Sequence, residues 1–157
     1  MDNGLIDLKN GALLINDKKV YIGMTYDDIV NTFDHIKSQS QYINKERNNC
    51  RIVCLFSCYM YDIPAEIRIF LHEDAAYKIY LSFDANDTII DPFDSNLDQY
   101  QEKVIQTAKN LKKKVKEIYP NLTDNGYIFY VSENGYKFYS SVDNYLLECS
   151  AIIEKEN

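Results

Sequence analysis

The chain has 157 residues, of which 46% are apolar and 26% charged, a balance that excludes collagen-like, coiled-coil and disordered classes and is enough for one core-bearing domain. Seventeen Lys and Arg stand against 24 Asp and Glu, and the resulting net charge of −7 weighs against generic binding to nucleic acid or to an anionic membrane. No apolar run approaches the ~20 residues of a membrane span, and the start Met1-Asp2-Asn3-Gly4 lacks the basic region of a signal peptide, so the expected location is the cytoplasm.

Leu13-Leu14-Ile15 and Val20-Tyr21-Ile22 flank the polar run Asn16-Asp17-Lys18-Lys19 and read as a short hairpin. Thr25 followed by Asp28 has the form of a capping box. Ile29, Val30, Phe33 and Ile36 recur at helical spacing, so a first helix is expected over 26–37. The polar stretch 38–49 reads as a loop. A meander follows, with strands over 50–61, 66–72 and 77–83 and turns at Asp62-Ile63-Pro64-Ala65 and Glu73-Asp74-Ala75. Asn86-Asp87 is a candidate for one more tight turn.

A second helix begins after Ser95, with Asp98 at the box position. Leu97, Tyr100, Val104, Ile105, Ala108, Leu111, Val115, Ile118 and Tyr119 form one apolar stripe, and Pro120 ends it. Acids lead this helix and lysines trail it, as its dipole favours. In the last third, 127–131 and 136–139 flank Asn134-Gly135, a type I′ hairpin signal that sets Tyr130 opposite Tyr139 and Val131 opposite Phe138. A final strand is expected over 145–153. The expected fold is therefore α+β: two main helices packed on antiparallel β-meanders within one domain over 1–157, a pattern open to a tandem helix-plus-meander repeat.

Three of the four cysteines, Cys50, Cys54 and Cys58, fall on one expected strand. Uninterrupted alternation puts them on one face with Ile52, Phe56 and Met60. Successive cysteines are then ~13 Å apart, too far for a disulfide or for one shared zinc. They read as buried thiols of a reducing compartment.

Catalytic motifs are missing from the sequence: there is no P-loop, dinucleotide fingerprint, nucleophile elbow or His-Glu-x-x-His helix. His35 sits near the end of the first helix, where the dipole favours it. His72 shares a strand face with Glu66 and Arg68, which reads as a solvated face. Asp84-x-Asn86-x-Thr88 opens like a calcium loop, but Ile89 and Ser95 occupy the positions that need Gly and Glu. The lysines at 112–116 fit the outer face of the second helix. No enzyme activity, cofactor or metal is expected.

The most unusual stretch is 79–102. It carries Asp84, Asp87, Asp91, Asp94, Asp98 and Glu102, interleaved with Phe83, Phe93 and Tyr100, and no Lys or Arg. Two turns and a helix start favour aspartate for local reasons. The same carboxylates, if exposed, steer a basic partner. The candidate partner-binding residues are Asp84, Asp87, Asp91, Phe93, Asp94 and Asp98, joined by the ring pair Tyr130 and Tyr139.

The run from Val20 to Val30, with Gly23-Met24-Thr25 ahead of the helix, resembles the helix start of β-lactamase-inhibitor-protein-like and SmpA/OmlA-type folds. That resemblance implies helices followed by antiparallel meanders, but the chain shows no signal peptide or lipidated cysteine of those secreted families. In size, acidity and lack of catalytic motifs the whole chain resembles bacterial immunity proteins of toxin–immunity pairs, including contact-dependent inhibition systems. That resemblance implies a cytoplasmic inhibitor that occludes a cognate toxin domain, a basic nuclease in the simplest case, with no nucleic acid or membrane partner. The alternatives are a small ligand-binding or accessory module without catalysis, and a carboxylate hydrolase using His35 or His72.

Overall fold

A computed structural model of the protein describes residues 3–33, 42–47, 50–83, 97–143 and 148–157, with side chains for all of these except 42–47, 50–56 and 97. Strand β1 (Asn3–Asp7) runs into a 3-10 turn (Leu8–Asn10), followed by β2 (Ala12–Ile15), β3 (Lys18–Tyr21) and helix α1 (Tyr26–Thr32). Then come β4 (Tyr42–Arg47), β5 (Cys50–Met60), β6 (Ile63–His72), β7 (Ala75–Phe83) and helix α2 (Leu97–Ile118). The chain closes with β8 (Thr123–Asn125), β9 (Ile128–Glu133), β10 (Tyr136–Asp143) and β11 (Glu148–Lys155).

The expected arrangement of two main helices on separate meanders is wrong. The strands form one eleven-stranded sheet in the order β3-β2-β1-β5-β6-β7-β11-β10-β9-β8, with β4 also on β5. Two pairings fuse the pieces. The last strand, β11, returns to lie antiparallel beside β7, from Cys149 opposite Phe83 to Glu154 opposite Lys78. The first strand, β1, joins β5 in parallel through Asn3 opposite Tyr59 and Gly4 opposite Met60, which makes the sheet mixed. The Thr25 cap forms as expected, its hydroxyl accepting from the Asp28 N–H at 3.2 Å. The helix it starts is only seven residues long and buries Ile29, too little apolar surface to cover a meander. Among the described residues α2 is the one long helix.

Smaller expectations shift for local reasons. The turn placed around Pro64 is made by Tyr61 and Asp62, both at positive φ (51° and 66°), so Pro64 lies inside β6 opposite Tyr59. Part of the expected loop at 38–49 is β4. A β-bulge shifts the β5–β6 register between Cys54, opposite Arg68, and Ser57, opposite Glu66. The bulge reverses the alternation, so Cys50 and Cys54 do not share a register parity with Cys58, which is buried opposite core residue Ala65.

The core lies on one face. Ile67, Ile69 and Leu71 of β6, Ile79, Leu81 and Phe83 of β7, Cys149, Ala151 and Ile153 of β11, and Phe129 and Phe138 of the last hairpin are all buried. They belong to the same apolar cluster as Val104, Ala108, Leu111 and Val115 of α2, which crosses β9, β10 and β11. That spacing of four, three and four residues is the stripe a helix lays on a sheet.

The beginning of the chain closes against its end. Beyond Gly4, β1 has no strand on its second edge among the described residues, and two phenols take up backbone N–H groups there. The Ile6 N–H donates to the Tyr61 hydroxyl and the Leu8 N–H to the Tyr119 hydroxyl, each at 3.1 Å. The Tyr119 hydroxyl in turn faces the Ile6 carbonyl at 3.5 Å. Tyr119→Phe strands the buried Leu8 N–H, so urea denaturation should show a loss of about 1–2 kcal/mol.

Candidate functional site: the open face of the sheet

Alternation in β6, β7, β11, β10 and β9 turns the other set of side chains away from α2, onto a face that no described element covers. The registers join these side chains into rows that run across the strands. One row is Arg68, Tyr80, Ile152, Tyr139, Tyr130 and Thr123. At about 4.8 Å per strand, Tyr80 and Tyr130 are about 14 Å apart along it. A second row is Glu66, Ser82, Ser150 and Ser141, and a third is Phe70, Lys78, Glu154, Lys137 and Ser132.

Phe70 is the centre of the aromatic packing on this face. Phe70 makes edge-on contacts with Tyr77 and Tyr80 at 6.4 and 6.3 Å between ring centroids. Tyr77 reaches this face because a register shift beside Phe70 leaves it outside the regular pairing. Lys78 Nζ sits 4.5 Å from the Phe70 centroid, and Lys137 Nζ 5.9 Å from that of Tyr139. Tyr77, Tyr130 and Tyr139 remain 40%, 41% and 36% exposed.

Charge is graded along the strands. One end carries Glu66, Asp143 and Glu148, with Asp143 directly opposite Glu148. The other end carries Lys78 and Lys137, and Lys137 pairs with Glu154 at 3.9 Å. Glu148 is held from one side, its Oε1 accepting from the Tyr80 hydroxyl at 2.6 Å and the Ser82 hydroxyl at 2.7 Å. Burial, then the hydrogen bond to Glu148 and that carboxylate's charge, push the Tyr80 phenol up to about 12.

Burial also pushes the Cys149 thiol, on the core side of β11, up to about 12. Both groups titrate later in the folded chain than in the unfolded one, where they ionise near 10 and 9. Their contribution to stability is therefore complete below about pH 9 and is lost as pH rises toward about 12. The urea midpoint should fall between pH 9 and 12, and Tyr80→Phe with Cys149→Ala should flatten that fall.

Of the candidate residues read from the sequence, Tyr130 and Tyr139 stand directly opposite each other, as the Asn134-Gly135 turn requires. Asp98 is exposed in the first turn of α2. Asp84, Asp87, Asp91, Phe93 and Asp94 lie outside the described residues, as does His35. Sequence reasoning missed Phe70, Tyr77, Ile152, Ser150 and above all Glu148. The alternation of 66–72 and 77–83 already grouped Glu66 with Arg68 and Tyr80 with Ser82, but nothing local reveals that β11 lies beside β7.

Other features carry less chemistry. Arg68 and Glu66 form an exposed pair at 3.4 Å, of a kind worth little in water. In the lysine run of α2, Lys112 is tied to Asp124 at 3.3 Å and to the Gly126 carbonyl. A groove of about 390 Å³ is lined by Asn3, Gly4, Leu5, Asn16, Tyr61 and Asp62. Among the described residues no group of His, Cys, Asp and Glu is placed to hold a metal ion, and no helix is long and apolar enough to cross a membrane.

No protein-family model matches the chain, and no curated protein or solved structure shows significant similarity to it.

Proposed function

We propose that this chain is an immunity protein: it binds a cognate, cationic toxin domain through the open face of its sheet and blocks that domain by occlusion. One observation carries the reading. The open face is built from tyrosine and serine, with Tyr77, Tyr80, Tyr130 and Tyr139 among Ser82, Ser132, Ser141 and Ser150. This is the chemistry of protein-binding surfaces. Tyrosine offers a large contact at low entropic cost, and serine offers adaptable hydrogen bonds. A sheet holds both in place before the partner arrives, which lowers the cost of association.

Charge favours a protein over a nucleic acid. The face carries as many carboxylates as cations or more, and the whole chain has a net charge of −7. The aspartates of 84–98 supply a long-range attraction for a basic surface, and a basic nuclease fits that description.

The test first reads the gene immediately upstream, where the proposal expects a large secreted protein, and then pairs the chain with the C-terminal domain of that product. Co-expression should protect cells from that domain, and the two should form a stable complex. Tyr130→Ala with Tyr139→Ala should weaken the complex at least about thirtyfold, the scale of an interface hot spot. Association should slow markedly between 50 and 500 mM salt. Absence of both protection and complex formation would refute the proposal.

A further inference from the structure

We infer that Glu148 is the anchor of this interface and receives the guanidinium of an arginine presented by the partner. The inference rests on the reading above, that a cationic protein seats on the open face. Its surroundings set Glu148 apart from the other carboxylates of the face. Its Oε1 is fully engaged by the Tyr80 and Ser82 hydroxyls, while among the described residues Oε2 accepts no hydrogen bond and the carboxylate forms no ion pair. The half-buried side chain is therefore already ordered by two neutral donors on one oxygen, with no cation among the described residues paired to it. Arg68 is the nearest candidate cation on the face, and its guanidinium is engaged with Glu66 at 3.4 Å.

The position sets the direction of docking. Glu148 stands at the acidic end with Glu66 and Asp143, so a cation enters there and not beside Lys78 and Lys137. The surface also favours arginine over lysine. A planar guanidinium can donate to Oε2 while resting against the Tyr80 ring that leads up to the carboxylate, and it sheds water more readily than an ammonium. Tyr80 and Ser82 are positioning residues in this arrangement.

The test titrates the full chain with capped hexa-arginine and hexa-lysine peptides and follows the Ile152 methyl and the Tyr80 and Tyr139 rings by NMR. Hexa-arginine should move these signals and bind more tightly than hexa-lysine. Glu148→Gln should lower the hexa-arginine affinity about tenfold and remove most of the preference over lysine. Tyr80→Phe and Ser82→Ala should each erode that preference by a smaller factor, and they carry the comparison if Glu148→Gln unfolds the sheet. Equal affinities for the two peptides, or no effect of the variants, would overturn the anchor. Binding of hexa-arginine that leaves the three signals unmoved would overturn it too, with the cationic-partner reading intact. No binding of either peptide would bring down both. Dimerisation that moves the same signals without peptide would assign the face to a second copy of the chain and overturn the inference.

Discussion

Phe138→Ala should lower the unfolding free energy by about 3–5 kcal/mol, the cost of deleting a buried ring and leaving a cavity. Phe138 is fully buried on β10, opposite Val131 and Ile153. Its ring lies 5.9 Å from that of Phe129, tilted by 40°. It belongs to the cluster that α2 covers, on a strand the helix touches. The sheet holds this position from both sides by paired strands, so neighbouring backbone cannot collapse into the void. Urea denaturation with an unchanged m-value would show that stability alone has changed. Tyr139→Ala, one residue away but on the open face, should cost less than about 1 kcal/mol. The contrast between neighbours measures the two-faced character of the sheet directly.

That contrast was legible in part from the sequence. The Asn134-Gly135 turn fixed the register of its hairpin, and with it the opposition of Tyr130 and Tyr139 and of Val131 and Phe138. The alternation of 66–72 and 79–83 separated core from outer side chains, but plain alternation puts Tyr77 with the core, and the register shift beside Phe70 turns it to the open face. The stripe of α2 named Val104, Ala108, Leu111 and Val115, which are buried. These are local signals, in which the side chain records its own environment. The long-range pairings left no such mark. Nothing in Glu148–Lys155 states that it lies beside β7, 65 or more residues earlier, and the parallel contact of β1 with β5 rests on Asn3 and Gly4 alone. The helix α1 was overextended because Phe33 and Ile36 continue a helical period on paper, while Phe33 leaves helical geometry at φ −114° and ψ 81°.

The candidate site followed the same division. Tyr130 and Tyr139 were found because a turn motif aligned them. Glu148 was missed because its significance comes from Tyr80 and Ser82, on a strand that only tertiary pairing brings near. The acidic stretch stood out in the sequence by charge alone. Charge acts at a distance and needs no register, which is why composition reveals it and says nothing about the contacts it would make.

The second large effect is expected where the two ends of the chain meet. Gly11 has φ +58°, and a Cβ built on it would lie 2.4 Å from Cε1 of Tyr136. Gly11→Val should therefore cost at least about 3 kcal/mol. Left-handed backbone alone costs a residue bearing a Cβ roughly 1–2 kcal/mol, and the ring must also be displaced. Gly11 cannot easily move to make room. Its N–H donates to the Leu8 carbonyl at 3.1 Å and its carbonyl accepts from the Ile22 N–H at 2.9 Å. Tyr136 is equally fixed, because it follows the tight turn at Asn134 and Gly135, and the Asn134 side-chain amide donates to the Lys9 carbonyl at 2.8 Å. Two controls separate the terms. Gly135→Ala, at φ +82° with open space around it, carries the conformational cost without the clash and should lose only about 1 kcal/mol. Gly11→Val combined with Tyr136→Ala relieves the clash and keeps the strain, so the double variant should be more stable than the sum of the single losses predicts. Strict additivity would mean that the two residues do not meet, and that the closure of the first hairpin against the last is not what holds this end of the sheet together.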